Sequence, residues 1–182
     1  MRVVDRRTQV SRRGFLKGGS AATAGLVALS VSSGMITGPT GAWAVSVVNL
    51  QAATMQTLIQ MARDIYPHDR LADRFYAAAV AGYDEQAGSD PAVKEMIESG
   101  VAGLDGLAEA RHARRYAEVG WEVERVALLR EIEEGALFRT LRSGLVVGLY
   151  NNPEVWPKFG YEGASAEQGG YLERGFDDID WV

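Results

Sequence analysis

The chain has no cysteine. That excludes structural disulfides, thiolate-held iron–sulfur clusters, a c-type haem attached through Cys-x-x-Cys-His, and a lipid-anchored N-terminal cysteine. Histidine is nearly as scarce, with only His68 and His112. Long apolar runs are missing too. Gly18 to Ala62 carries no charge, but Gly18, Gly19, Gly25, Gly34, Gly38, Pro39 and Gly41 break its first part. No continuous stretch of about 20 strongly apolar residues remains to anchor the chain in a membrane. Basic charge is thin beyond residue 44. Residues 1–44 hold six of the 19 Lys and Arg and one of the 24 Asp and Glu, leaving 13 against 23 and a net charge of −10. A surface without a basic stripe has little to displace counterions from phosphate, which argues against nucleic acid as a partner.

Catalytic motifs are also missing. Gly100, Gly103 and Gly106 follow no strand and have the wrong spacing for a dinucleotide fingerprint. There is no phosphate-cradling loop, no Gly-x-Ser-x-Gly elbow and no His-Glu-x-x-His pair. Each histidine has a carboxylate near it in sequence, Asp69 for His68 and Glu109 one turn before His112. The plainer reading places His68 in a turn after Pro67 and His112 on a solvated helix end among Arg111, Arg114 and Arg115. Asp177, Asp178 and Asp180 lack the turn glycine and distal glutamate of a calcium loop, and read as a solvated acidic tail.

What is present begins at the N-terminus. Ser11-Arg12-Arg13-Gly14-Phe15-Leu16-Lys17 precedes an uncharged leader rich in Gly, Ala, Ser and Thr, which ends in Ala42-Trp43-Ala44. Paired arginines followed by Phe15 and Leu16 resemble the twin-arginine translocation (Tat) signal, an address read by a receptor, and the small residues Ala42 and Ala44 mark a cut after Ala44. Residues 1–44 are thus expected to be a signal peptide. Residues 45–182 then form one domain, large enough to bury about two thirds of its unfolded surface. The Tat route carries folded cargo, so the chain is expected to reach the periplasm folded, or bound to something that folds first.

Four segments of that domain read as helical. Met55, Leu58, Ile59, Ala62, Ile65 and Tyr66 recur at helical spacing until Pro67 stops them. An alanine-rich helix follows over about Leu71 to Gln86, with Phe75 and Tyr83 as anchors, and breaks at Gly88-Ser89-Asp90. Asp90 and Pro91 then form a cap and first position for a third helix, which turns Val93, Ile97, Val101, Leu104 and Leu107 inward. The fourth segment, Trp121 to Tyr150, carries a stripe of Val123, Val126, Leu129, Ile132, Leu137, Leu141, Leu145 and Leu149. It reads as one helix or two, with Gly135 as the candidate break and Gly144 and Gly148 spaced for close helix packing. No alternating run is long enough for a confident strand. The expected fold class is all-α, a small helical bundle with an irregular, aromatic and Gly-rich tail over 150–182.

That tail holds seven of the chain's 16 aromatic residues. Without periodicity its rings must either pack back on the bundle as an ordered loop or pack onto another protein. Trp156, Tyr161, Tyr171, Phe176 and Trp181 are the candidate partner contacts, because aromatic side chains are the usual interface anchors.

Thr57-Leu58-Ile59-Gln60-Met61-Ala62-Arg63-Asp64-Ile65-Tyr66-Pro67 resembles the first helix of the gluconate 2-dehydrogenase subunit 3 family. Gly148-Leu149-Tyr150-Asn151-Asn152-Pro153-Glu154-Val155-Trp156 and Gly160-Tyr161-Glu162-Gly163 are similar to its later core. The ending from Gly169 to Trp181 resembles the tail of many members. The likeness runs from the first helix onward and is looser over about 71–116. It implies a small subunit without catalytic residues or a cofactor of its own. Its partner would be a large flavoprotein of the glucose-methanol-choline (GMC) type that holds FAD, often with a multihaem cytochrome c as a third subunit. It also implies an escort role, in which the small subunit supplies the export signal for a companion that acquires its flavin in the cytoplasm. The alternative is an independent periplasmic ligand-binding or scaffold protein.

Overall fold

The computed structural model describes residues 30–32, 35–37 and 44–172. They form five helices, α1 (Ala52–Ile65), α2 (Asp73–Ser89), α3 (Pro91–His112), α4 (Glu122–Glu131) and α5 (Ala136–Tyr150). Three short strands precede them, β1 (Ser30–Ser32), β2 (Met35–Thr37) and β3 (Ala44–Ser46). The molecule is mostly helical, the all-α bundle that the periodicity predicts.

α1 is the axis around which the bundle closes. It meets α2, α3, α4 and α5 as well as β2, so it is buried on nearly every side. Met55, Leu58, Ile59 and Ala62 are buried as the spacing predicts, but so are Thr54, Thr57, Gln60 and Asp64. A polar group in such a position needs a partner supplied from within the protein. Glu98 of α3 provides one, accepting from the Gln51 backbone N–H at 2.8 Å and from the Thr54 hydroxyl at 2.5 Å. This carboxylate caps an N-terminus that has no side-chain cap of its own.

The start of α3 is the one predicted. Asp90 Oδ1 accepts from the Ala92 N–H at 2.8 Å and Pro91 takes the first helical position. α2 differs from expectation at both ends, starting at Asp73 and passing through Gly88 to Ser89. Its last turn is held by the Asp90 N–H donating to the Gln86 carbonyl at 2.8 Å. The fourth segment is two helices, with the break at Ile132–Gly135 and Gly135 at the start of α5. Leu137, Leu141, Leu145 and Leu149 of α5 line the core as predicted, but Val123 of α4 is 75 % exposed and lies outside it.

Gly144 and Gly148 let α5 approach α2 closely. A methyl group at Gly144 would sit 2.1 Å from Tyr83 Oη, and one at Gly148 would sit 3.1 Å from Ala79.

The strands correct the expectation of none. β1 pairs antiparallel with β2, and β2 with β3, in the register Met35↔Ser46, Ile36↔Val45 and Thr37↔Ala44. Each strand has only three residues, too few for alternation to register as a pattern. Two of them fall inside the segment read as a leader, and Ile36 is fully buried in the same core as Val45, Val47, Leu50 and α1.

Candidate functional site

The tail begins where α5 ends at Tyr150 and turns back at once. Asn152 Oδ1 accepts from the Glu154 N–H at 3.0 Å, a local turn that drives the buried Val155 into the core. Trp156 follows in a 3-10 turn and donates its Nε1–H to the Tyr150 carbonyl at 2.7 Å. Its ring meets Tyr161 edge to face, with centroids 5.2 Å apart at 80°. The bend between these rings depends on Gly160 at φ 75°, where a side chain would strain the backbone, and Gly163 at φ 102° turns the chain again past Tyr161. An ion pair from Arg74 of α2 to Glu154, 2.7 Å long, holds the turn to the bundle.

Beside this turn lies a cluster of rings from three parts of the chain. His68 Nε2 is 2.6 Å from Tyr150 Oη. Phe159 stands edge-on to His68 with centroids 4.9 Å apart, and Tyr66 edge-on to Tyr150 at 5.8 Å. Tyr76 Oη ties the turn below, donating to the Tyr66 carbonyl at 2.7 Å and accepting from the His68 N–H at 3.1 Å. Burial, assisted by Tyr66, raises the Tyr150 phenol above its ordinary value, so Tyr150 keeps its proton. With the histidine protonated at Nδ1, the phenol then donates to Nε2 and orients the ring. The sequence offered Asp69 as the partner of His68, and the fold supplies Tyr150 instead. For His112 it supplies Glu124, 3.7 Å from Nδ1, in place of Glu109.

Of the predicted contact residues, Trp156 is half-buried and works as a brace between α5 and the tail. Tyr161 and Tyr171 are 50 % and 68 % exposed. Phe159 and Leu172, which were not singled out, are exposed beside them in sequence, and Val146 and Val147 are exposed on α5 one turn before Tyr150. Phe176, Trp181 and the aspartates at 177, 178 and 180 lie outside the described residues, as do Ser11, Arg12, Arg13, Phe15, Leu16, Lys17 and Ala42. Ala44 is described, as the first residue of β3.

Two buried acids escaped the sequence reading. Asp64 of α1 takes a two-pronged contact from Arg125 of α4, with Nε to Oδ2 at 2.7 Å and Nη2 to Oδ1 at 2.9 Å. Its oxygens also accept from the Tyr116 hydroxyl at 2.7 Å and from Gln60. Arg125 Nη1 reaches the Val119 carbonyl at 2.8 Å, so the group ties the loop before α4 onto α1. Burial, and after it the Asp64 charge, pushes the Tyr116 phenol well above its ordinary value. Asp84 of α2 accepts from the backbone N–H groups of Val48, Asn49 and Leu50 at 2.9–3.2 Å and from the Asn49 side chain. Burial alone would raise the Asp84 carboxyl, but these donors outweigh it and hold it below the usual carboxylate value.

A cleft of about 730 Å³ opens between β3, α2 and the turn at Asn152–Glu154. Arg74, Asp84, Glu85 and Glu154 are its charged lining. Three carboxylates against one guanidinium make it a poor seat for an anionic ligand such as a dinucleotide pyrophosphate. Among the described residues no group of three or more His, Asp or Glu is placed to hold a metal ion, and no helix is long and apolar enough to cross a membrane.

The fold and its surface define a small all-α bundle with a braced aromatic tail. Comparison with protein-family models, curated proteins and solved structures returns no match.

Proposed function

We propose that this chain is a non-catalytic small subunit that escorts a flavoprotein sugar or polyol dehydrogenase of the GMC type to the periplasm. In this reading it supplies the Tat export signal and stabilises the large subunit, which carries FAD. A cytochrome c with covalent haem forms a third subunit where one is present, and the assembly associates with the inner membrane. The observation that carries the reading is Ser11-Arg12-Arg13-Gly14-Phe15-Leu16-Lys17 ahead of an uncharged leader, an address for cargo that folds before it travels. Exposed rings at Phe159, Tyr161 and Tyr171 support it by offering anchors for a partner. The physical logic is one of delivery. A flavin inserted in the cytoplasm is lost if its protein is threaded out unfolded, and pairing the folded flavoprotein with a Tat-tagged subunit avoids that loss.

Replacing Arg12 and Arg13 together by Lys is expected to leave the dehydrogenase in the cytoplasm and to reduce its periplasmic activity to background. Normal periplasmic activity in that variant overturns the reading, as does oxidation of a sugar by the isolated chain.

The cleft favours a second reading, an exported ligand-binding domain that works alone. It predicts a stable monomer that binds a neutral or cationic small molecule by calorimetry, with no flavoprotein co-purifying.

A further inference from the structure

The bond expected to be cut, Ala44–Val45, lies inside a folded strand. Ala44 is paired with Thr37 and Val45 with Ile36, so β3 is held along one edge by the segment that the cut would release. Ile36 is completely buried, and Val45 is 8 % exposed. The pair belongs to the core that includes Leu50, Met55 and Leu58. A protease acting at this bond needs it extended and free along its backbone edges, as in strand addition to an enzyme cleft. The chain must first peel β3 from β2, drawing Ile36 off α1 and Val45 off α2.

We propose that folding masks this processing site. Once the bundle has formed, the Ala44–Val45 bond is protected, and the leader stays attached to the exported protein as part of its fold. The proposal rests on the reading of residues 1–44 as a Tat leader, and it sharpens that reading. The route carries folded chains, so the hairpin is already closed when the processing enzyme meets it. The retained leader then keeps Ile36 in the core.

The test uses the purified full-length chain and a synthetic peptide of residues 38–50, each digested with elastase, which cuts after small residues, and with the leader peptidase. Intact mass follows the appearance of a fragment starting at Val45. The expected result is cutting in the chain at least about tenfold slower than in the peptide, because the bond is reached only through local opening. Ile36→Asn, checked for unchanged helical circular dichroism, is expected to bring the rate close to that of the peptide. Should that variant fail to fold, the comparison of chain and peptide decides alone. Equal rates in chain and peptide overturn the proposal, as does an exported protein that begins at Val45 by N-terminal sequencing. Failure of the export reading looks different, because the bond stays protected in vitro while the Arg12→Lys/Arg13→Lys variant is exported normally.

Discussion

Arg125 is 3 % exposed and Asp64 7 %, so their ion pair stands or falls with its completeness. Two charges taken out of water are tolerated because Tyr116, Gln60 and two backbone carbonyls satisfy what the pair itself does not. Arg125→Met leaves the carboxylate buried with only neutral donors and is expected to cost about 3–5 kcal/mol in urea unfolding. Asp64→Leu combined with Arg125→Met removes both charges and is expected to cost less than the single change, which a double-mutant cycle reads directly. Asp84 behaves differently, because its partners are four N–H donors and no cation. Its folded pKa lies below the unfolded 3.8, so the stability it contributes is present above that value and is lost as pH falls through the folded pKa. Stability curves of the native chain and of Asp84→Asn are therefore expected to differ by about 1–3 kcal/mol at neutral pH and to converge below pH 3.8. A constant gap down to the acid limit would contradict the role given to this carboxylate.

At the scale of elements, the contact between α2 and α5 is set by the absence of a side chain. Tyr83 Oη fills the space over Gly144 and donates to the Thr140 carbonyl at 3.1 Å. Gly144→Ala gains helix propensity but drives a methyl group into that hydroxyl. The collision is expected to win, lowering stability by about 1–3 kcal/mol, and Tyr83→Phe in the same chain should recover part of the loss. The small residues of this contact were legible from the Gly144 and Gly148 spacing, though not that Tyr83 fills the gap, and the start of α3 from Asp90-Pro91 and the break at Gly135 were legible because each depends on neighbours within one or two turns. What stayed hidden depends on distance. Asp64 and Arg125 are 61 residues apart, and each looks in sequence like one more solvated charge. The strands stayed hidden because three residues cannot show a period of two. Val123 was misassigned because the three-residue steps of Val123, Val126 and Leu129 drift round the helix, whose buried face is Arg125, Leu128 and Leu129.

For the molecule as a whole, the tail divides into rings that hold it and rings that it presents. Sequence named the rings but could not sort them, because the sorting follows from a hydrogen bond to the Tyr150 carbonyl and from the insertion of Val155. Trp156 loses a half-buried hydrogen bond and its contact with Tyr161 when it is replaced, so Trp156→Ala is expected to destabilise the isolated chain by about 2–4 kcal/mol. Tyr161 and Tyr171 already stand in water. Replacing both by Ala is expected to cost clearly less than Trp156→Ala, the loss coming from the Tyr161 contact with Trp156, about 0.5–1.5 kcal/mol, and to weaken capture of the proposed flavoprotein partner strongly. The contrast between the two changes is what carries weight. If the exposed pair stabilised the isolated chain as much as Trp156 does, the tail would be a lid on its own core. If neither change affected capture, the partner would have to use another face, such as the exposed Val146 and Val147 of α5 or the exposed Trp121 at the head of α4. Measured side by side, by urea unfolding and by co-purification, the two variants separate a tail that completes the bundle from one that offers it to a companion.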